Sequence, residues 1–450
     1  MRFSTFGLVI FSALGSSRAL APANVTWSNC PDNTGVECAT VQVPLDWADE
    51  SKGMIPIALS RVPAKTPQRE GYMFFNPGGP GGSGTEFVQN LGPIIQFILG
   101  RGMEIISWDP PGSRVLVLTS PYSLGKPTTK RSGTRCTDVN LYGISYGTVI
   151  ATYLTQMFPD RVGRVIIDGV LDPEKYGNNI PMKWAEADVY DVDFALKSWT
   201  EACAGSKKCP FSNQNDTSST LLTKIDTILN TAYERYDGSI PTFNDSGLFT
   251  WPYDNVANSI QSNLYQAMRS DDNGQMLAAL EQHQSNSNST QKVVPPNIST
   301  PIGRSPYSIM PLYDTIPPDV LSNIAFAVFC GDAVDDGSTT TEDVFKETVR
   351  ISQSTSRIFG SLFPIDSIRS LCHKWTSRAV ERLPQKINKP PKNVVLVLGN
   401  MGDPITPYYS ARRLASSDQL GTKARLVLLK SIGHSTRESF SPIDKSESVS

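Results

Sequence analysis

The chain has 450 residues, with 41 basic and 43 acidic side chains and a formal net charge of −2 at pH 7. This balance provides no overall field to attract nucleic acid or an anionic membrane, so neither is expected as a partner. The length favours one large domain with an inserted second unit over a single small core.

The N-terminus has the pattern of an export signal. Arg2 supplies a positive charge, residues 6–14 are apolar, and small residues up to Ala21 provide a cleavage site. Residues 1–21 are therefore predicted to be a signal peptide of a secreted protein. A membrane anchor is the alternative, but the apolar stretch is far shorter than the roughly 20 residues that a spanning helix needs. Five sequons also predict a secreted glycoprotein: Asn24, Asn215, Asn244, Asn288 and Asn297.

Residues 22–172 are predicted to form the first part of an α/β core. Apolar stretches between Gly and Pro turns predict strands at residues 41–45, 55–62, 72–75, 104–108 and 139–142. Several are continuous apolar runs, which are typical of strands buried on both faces of a parallel sheet. A predicted helix at 147–158 and a strand at 165–167 follow. This order of strand, helix and strand predicts a doubly wound sheet.

Residues 173–391, here termed the helical insertion, have a different pattern. Amphipathic stretches predict helices at residues 221–236, 256–268, 276–283 and 344–359, with little strand signal. Residues 392–450 restore the α/β alternation, with strands at 394–398 and 425–429 around a helix near 408–416. The sequence therefore predicts a mostly parallel α/β core in two parts, split by an inserted helical lid.

The chain contains seven cysteines, too few for a disulfide-dense scaffold at this length. Proximity or context suggests three pairs, and Cys136 is then left without a predicted partner. The pairs are Cys30 with Cys38, Cys203 with Cys209, and Cys330 with Cys372.

A Gly-x-Ser-x-Gly motif stands where a predicted strand ends and a predicted helix begins. Gly143 and Gly147 flank Ser145. Glycines are needed beside a serine on such a strained turn, because side chains there would crowd the neighbouring backbone. An ordinary glycine-rich turn is the alternative, but it does not explain the strand–turn–helix context. Ser145 is the predicted nucleophile.

A serine nucleophile needs a base, and histidine is the usual one. The chain has only three histidines, and two of them, His283 and His373, lie in the helical insertion. His434 instead follows a late predicted strand, where the chain order of serine, acid and histidine places the base. His434 is therefore the predicted base.

The acid of such a triad is expected on a loop after a late strand. Asp403 follows the strand predicted at 394–398, and its carboxylate would orient the imidazole. Asp332, Asp335 and Asp336 are the alternatives, but they follow no core strand. Asp403 is the predicted acid.

The glycine-rich segment 76–84 follows another predicted strand. Its backbone amides can approach a substrate oxygen, so the amides of Gly79 and Tyr146 are predicted to form an oxyanion hole. A phosphate-binding loop is the alternative, but the segment lacks a Gly-Lys-Ser/Thr ending and contains no lysine.

Segments spread over most of the chain carry a wider resemblance. They are residues 76–84, 108–112, 141–148, 158–162, 168–173, 330–332, 372–375, 402–407 and 433–434. Together they resemble the tripeptidyl-aminopeptidase-like branch of the prolyl aminopeptidase family of α/β-hydrolase serine peptidases. The resemblance implies an α/β-hydrolase fold and an exported exopeptidase that acts on free N-termini. It also implies that Cys330 and Cys372 are bonded, because both stand in family-like contexts.

Two features depart from that family. Residues 115–137 lack helical periodicity and are shorter than the crossover usual in the family, so they are predicted to be poorly ordered, with Cys136 unpaired. A naturally irregular crossover is the alternative. The residues after His434 are polar, whereas similar proteins usually continue into a further helix.

The predicted function is that of an aminopeptidase that releases short N-terminal peptides or residues through an acyl-enzyme. Neither a cofactor nor a metal is expected, and the expected partner is a peptide or small acyl substrate. An exopeptidase must also hold the substrate ammonium, so a carboxylate of the lid is expected to face Ser145. An esterase or lactone hydrolase remains a second possibility, and a non-catalytic protein on a hydrolase scaffold is a third.

Overall fold

The computed structural model describes residues 25–31, 33–110, 138–234, 253–266, 270–285, 318–334, 337–361, 372–379 and 386–436. Several predicted features lie outside these residues and stay predictions. They are the signal peptide at 1–21, segment 115–137 with Cys136, Asp335, Asp336, and the sequons Asn24, Asn244, Asn288 and Asn297. Asn215, the remaining sequon, lies in an exposed turn.

The described residues form a nine-stranded sheet in the order β1-β2-β3-β5-β4-β6-β7-β8-β9. The strands are β1 (Ser28–Cys30), β2 (Asn33–Pro44), β3 (Met54–Val62), β4 (Gly71–Asn76), β5 (Met103–Trp108), β6 (Val139–Ile144), β7 (Val162–Asp168), β8 (Val395–Gly402) and β9 (Ala424–Ile432). The pairs among β1, β2, β3 and β5 are antiparallel, and every pair from β5 to β9 is parallel. The sheet is therefore mostly parallel, as predicted.

Helices connect the strands and fill the interval between β7 and β8. They are α1 (Gly84–Leu99), α2 (Gly147–Met157), α3 (Pro173–Asn178), α4 (Pro181–Asp188), α5 (Val192–Cys203), α6 (Ser218–Glu234), α7 (Tyr253–Tyr265), α8 (Ser270–Ser285), α9 (Pro318–Asp332), α10 (Thr341–Ser354) and α11 (Tyr408–Leu414). Short 3-10 helices occur at Glu50–Lys52, Pro159–Arg161 and Gly421–Lys423. No helix in the described ranges is long and apolar enough to cross a membrane.

Two apolar clusters lie on the sheet. Val88 of α1 belongs to one cluster with Ile144, whereas Leu154 of α2 and Leu414 of α11 belong to the other with Leu141. Side chains three positions apart on a strand point to opposite faces, so Leu141 and Ile144 place the two clusters on the two faces. Helices therefore cover both faces of the sheet, which is the α/β-hydrolase arrangement.

Helix α1 was not predicted from the sequence. Pro93 lies inside it, and Phe97 and Ile98 are exposed near its end, so a helix-breaking residue and apolar side chains on the solvent side obscure it in the sequence. Ser83 caps the helix by accepting a hydrogen bond from the Glu86 amide at 3.1 Å. The cap, rather than apolar periodicity, marks where this helix begins.

The helical insertion has an apolar cluster of its own. Trp199, Leu221 and Phe359 are buried in it. Ile405 from the loop after β8 and Ile432 at the end of β9 pack against it. The helices predicted in this segment correspond to α6, α7, α8 and α10. The insertion therefore contacts the core beside the predicted acid and base.

Three disulfides join the cysteines that were predicted to pair. The Cα atoms are 5.0 Å apart in Cys30–Cys38, 5.3 Å in Cys203–Cys209 and 4.8 Å in Cys330–Cys372. The last bond is buried, with both residues at most 1% exposed, and it lies two residues before the end of α9. It therefore anchors this end of the helix.

Candidate active site

Ser145 occupies the turn between β6 and α2. Its φ is 55°, a left-handed conformation that is uncommon outside glycine and is held only by surrounding structure. The Ser145 amide donates to the carbonyl of Asp168 at 2.9 Å, and the Thr148 amide donates to the Ser145 carbonyl at 2.8 Å. These bonds fix the serine at the carboxyl edge of the parallel strands.

The glycines around the serine allow the backbone to approach closely. A Cβ atom at Gly147 would lie 2.5 Å from the carbonyl oxygen of Asn76. One at Gly78 would lie 2.5 Å from the Ile144 carbonyl oxygen and 2.9 Å from the Ser145 Cβ. The glycine-rich loop after β4 therefore lies directly against the serine turn, and neither glycine can be replaced without moving backbone.

The two predicted oxyanion donors lie on these adjacent segments. Gly79 has a φ of 112° in the glycine-rich loop, and Tyr146 follows the serine. Within the described part of the chain, neither backbone amide donates a hydrogen bond to a protein acceptor. Neither amide is therefore committed to a described acceptor, as the predicted oxyanion hole requires.

Asp403 and His434 meet in the loops after β8 and β9. The His434 Nδ1 atom lies 3.1 Å from one carboxylate oxygen of Asp403 and 3.2 Å from the other. Asp403 is 0% exposed and His434 is 3% exposed. The amides of Ile405, Thr406 and Ser435 also donate to the carboxylate, at 3.0, 2.8 and 2.8 Å. The acid is therefore buried and oriented toward the imidazole.

The other ring nitrogen, Nε2 of His434, makes no hydrogen bond to any residue in the described ranges. The bond from Ser145 to His434 is therefore not formed in this structure. Residues 168 and 169 nevertheless contact both groups. The Asp168 carbonyl accepts the hydrogen bond of the Ser145 amide, and a Cβ at Gly169 would lie 3.3 Å from the His434 Cε1. Catalytic hydrogen bonds often tighten only when substrate binds.

Two of the remaining candidates, His373 and Asp332, lie elsewhere in the described residues. His373 Nε2 is 2.9 Å from the Thr341 hydroxyl on the surface of the helical insertion. Asp332 contacts two phenols rather than an imidazole. Neither residue therefore competes with Asp403 and His434.

The comparison with protein families agrees with this geometry. A family model described as TAP-like protein, of the hydrolase type Abhydrolase_4, matches residues 360–445, a range that contains Asp403 and His434. The chain has the α/β-hydrolase fold, and its residues 360–445 are similar to the TAP-like family.

The relatives of the chain include proteins named as a peptidase, a serine protease and an esterase. The tripeptidyl aminopeptidase of Streptomyces lividans is 25% identical over 257 residues, covering 43% of this chain and 47% of that protein. Serine protease Hip1 of Mycobacterium bovis is 24% identical, covering 41% and 46%. Carboxylesterase B of Mycobacterium tuberculosis is 35% identical over 95 residues, covering 19% and 18%. The chain spans less than half the length of these relatives, and the matches support an enzyme of the serine hydrolase kind.

Two residues that sequence reasoning missed contact Asp403 or His434, and a third feels the charge of Asp403. The Thr406 hydroxyl lies 2.7 Å from an Asp403 carboxylate oxygen and 3.0 Å from the His434 Nδ1. The sequence signal for this contact is that Thr406 stands three residues after Asp403, a spacing at which an aspartate side chain often accepts hydrogen bonds from the turn that follows it. Tyr265, at the end of α7, accepts a hydrogen bond from the His434 amide at 2.8 Å, and the two rings lie 4.4 Å apart. The third residue is Asp191, whose pKa is raised by its burial and, to a smaller extent, by the charge of Asp403.

Asp168 connects the serine turn to the histidine loop. Its backbone carbonyl holds the Ser145 amide. Its fully buried carboxylate accepts hydrogen bonds from the Thr436 amide at 2.8 Å, the Thr436 hydroxyl at 2.6 Å and the Tyr142 phenol at 2.9 Å. One residue therefore ties together the two loops that carry Ser145 and His434.

Proposed function

We propose that this protein is a secreted aminopeptidase that removes short peptides or single residues from N-termini through an acyl-enzyme. Ser145 is the nucleophile, His434 the base and Asp403 the acid, while the amides of Gly79 and Tyr146 bind the oxyanion. The observation that carries the proposal is the buried Asp403–His434 pair, 3.1 Å apart, at the sheet edge where Ser145 sits in a left-handed turn.

The reaction follows from the roles of these groups. Ser145 Oγ attacks the scissile carbonyl carbon, and its proton passes to Nε2 of His434. The C–N bond then breaks as His434 returns this proton to the departing amine. Water next attacks the acyl-enzyme, giving one proton to His434, and the ester bond breaks as that proton returns to Ser145. Nε2 is able to take part because no described residue occupies it.

The proposed substrate is a peptide with a free N-terminus. The name of the Streptomyces relative supports peptides as substrates, and the chain's lack of a strong net charge suits small neutral or zwitterionic compounds. The export pattern of residues 1–21 and the three disulfides support secretion.

The test starts with a fluorophosphonate probe and peptide mapping of the labelled residue, using Ser145→Ala as the control. Tripeptidyl, dipeptidyl and aminoacyl anilides are then compared with the same compounds carrying an N-acetyl group. An aminopeptidase cleaves the free compounds and loses most activity after acetylation. Equal cleavage of acetylated and free peptides would contradict the proposal.

An esterase is the second candidate, and the similarity to carboxylesterase B favours it. The same triad and oxyanion hole serve esters as well as amides. Short-chain nitrophenyl esters would then be turned over with a higher kcat/KM than any peptidyl anilide. Well-folded protein that the probe does not label at Ser145 would instead favour a non-catalytic hydrolase-fold protein.

A further inference from the structure

A buried carboxylate of the helical insertion contacts the residue beside Ser145. Asp332 ends α9, and its Oδ2 accepts hydrogen bonds from the Tyr146 phenol at 3.0 Å and the Tyr176 phenol at 2.8 Å. Asp332, Tyr146 and Tyr176 are 9%, 6% and 3% exposed. Asp332 and Tyr146 are 186 residues apart in the chain. A remote element therefore fixes the side chain that follows the nucleophile.

Aromatic packing holds the rest of the Tyr146 ring. Tyr176 and Phe329 approach it edge-on, with ring centroids 5.9 and 6.3 Å away, and Tyr176 stacks on Trp184 at 4.4 Å. Burial, and then the charge of Asp332, raise the pKa of Tyr146 and Tyr176 well above the usual value. Both phenols therefore stay protonated and donate to the carboxylate.

The same residue supplies a backbone group to the proposed chemistry. Tyr146 has an αR backbone, with φ −52° and ψ −31°, and no side-chain cap bond holds this start of α2. Its amide donates to no protein acceptor in the described ranges. An oxyanion donor works only at hydrogen-bond distance from the developing charge, so small displacements of the Tyr146 Cα are costly.

We propose that Asp332 is a positioning residue that holds the Tyr146 amide in its oxyanion-binding place by fixing the far end of the Tyr146 side chain. This inference rests on the proposed function, in which that amide binds the oxyanion. It makes the end of α9 part of the catalytic apparatus rather than only a cover. The buried Cys330–Cys372 bond, two residues before Asp332, anchors the helix end that carries the carboxylate.

The experiment measures the rate at which a fluorophosphonate labels Ser145, together with kcat and KM on the best substrate. Asp332→Ala leaves two buried phenols without their acceptor and is expected to lower the labelling rate per active site about 10- to 100-fold. The fall should appear in kcat, with KM changed by less than about threefold, because ground-state binding is untouched. Asp332→Asn keeps an oxygen that can accept both phenols and should restore the rate to within about fivefold.

Two further variants separate positioning from folding. Tyr146→Phe removes the same hydrogen bond from the other side, so the double variant with Asp332→Ala should be no slower than Asp332→Ala alone. Asp216→Ala is the matched control, since this carboxylate also lies in the helical insertion, 3.0 Å from Lys224, but contacts neither Tyr146 nor Ser145. It should leave the labelling rate unchanged.

The endpoint of labelling counts folded sites, whereas the rate reports their geometry. A reduced endpoint with an unchanged rate would show that Asp332 is only structural and would overturn the inference, as would equal and independent losses in the double variant. Wild-type protein that is labelled at Ser145 but cleaves no peptide would contradict the proposed peptidase function and leave the Asp332 result standing. Absence of labelling in folded wild-type protein would overturn both.

Discussion

The serine turn, residues 143–147, and the histidine loop, residues 433–436, are held in place by different means. The turn is fixed by its own backbone, since Ser145 has a φ of 55° and a Cβ at Gly147 would press on the backbone of the loop after β4. The loop is fixed by side chains from distant segments. Asp403 and the ring of Tyr265 both lie against the imidazole of His434.

The difference shows where the active geometry is encoded. Local backbone constraints place Ser145, so the motif around it is sufficient to propose it as the nucleophile. The position of His434, the proposed base, depends on α7, because the His434 amide donates to the carbonyl of Tyr265. Variants at the serine turn should therefore act through local geometry, whereas variants of Tyr265 in α7 should act through the orientation of the imidazole.

The largest expected effect is on the serine side. Ser145→Ala removes the nucleophile and should lower turnover by roughly 10⁶-fold if the three proposed catalytic groups act as a unit. His434→Ala, in the histidine loop, should lower turnover by about the same factor. Turnover is measured with the best anilide or ester, and circular dichroism checks that the variants fold. Undiminished activity in either variant would mean that the nucleophile or the base has been wrongly assigned.

Gly147→Ala tests whether backbone geometry alone holds the turn. Its Cβ would lie 2.5 Å from the Asn76 carbonyl oxygen, so the turn and the glycine-rich loop must separate. We expect kcat/KM to fall by about 100-fold or more, because both proposed oxyanion donors then move relative to Ser145.

Gly35→Ala is the control for that change. The new Cβ would meet only the Asn33 side chain, at 3.7 Å, in an exposed part of β2. Its stability should stay within about 0.5 kcal/mol of wild type in urea titrations, with unchanged activity. If Gly147→Ala behaves like Gly35→Ala, the turn is not held by backbone contact.

Tyr265→Ala tests the histidine side. The centroid of the Tyr265 ring lies 4.4 Å from that of the imidazole, and the alanine variant removes this packing contact from the imidazole. We expect kcat to fall about tenfold, since an imidazole with more freedom spends less time aligned with Ser145. Tyr265→Phe keeps the ring and should recover most of the activity. A phenylalanine variant as slow as the alanine variant would assign the effect to the hydroxyl instead.

The same contrast explains what could be predicted from the sequence. The core strands from β4 to β8 were predicted because strands buried on both faces are continuous apolar runs bounded by turns. The structure extends the run at 394–398 into β8 (Val395–Gly402), which places Asp403 directly after the strand. Chain order then sufficed to select Asp403 and His434, although their catalytic roles stay predictions.

Contacts between distant segments were not predictable in this way. No local pattern indicates that Asp332 would meet Tyr146, or that Tyr265 would lie on the imidazole, because both contacts depend on how the helical insertion packs on the core. Helix α1 was missed for a local reason, since Pro93 interrupts it and its exposed end is apolar. Periodicity identifies elements that bury one face, and it says little about where separate elements meet.

The smallest expected effect concerns the charge environment of the histidine side. Asp191 immediately precedes α5, is 8% exposed and accepts a hydrogen bond from the Tyr408 amide at 3.0 Å. Burial, opposed by that hydrogen bond and assisted by the charge of Asp403, raises the pKa of Asp191 from 3.8 to about 7. Because the folded state holds this proton more tightly than the unfolded state, stability is greatest below pH 4 from this group and is lost as the pH rises toward 7.

Asp191→Asn removes this titration and keeps an oxygen for the Tyr408 amide. The free energy of unfolding of the variant, relative to wild type, should therefore rise by about 1 kcal/mol between pH 5 and pH 8. This is less than the free energy that corresponds to the full pKa shift, because water and local relaxation reduce the cost of burying the charge. Urea titrations of both proteins at the two pH values measure it. Asp418→Asn is the control, since this exposed carboxylate has a pKa lowered by the Ser416 hydroxyl and should give no such gain at pH 8. If the stability of Asp191→Asn relative to wild type stays flat or falls with pH, Asp191 is already ionised in the folded protein at pH 5. Burial and the charge of Asp403 would then not raise its pKa as described.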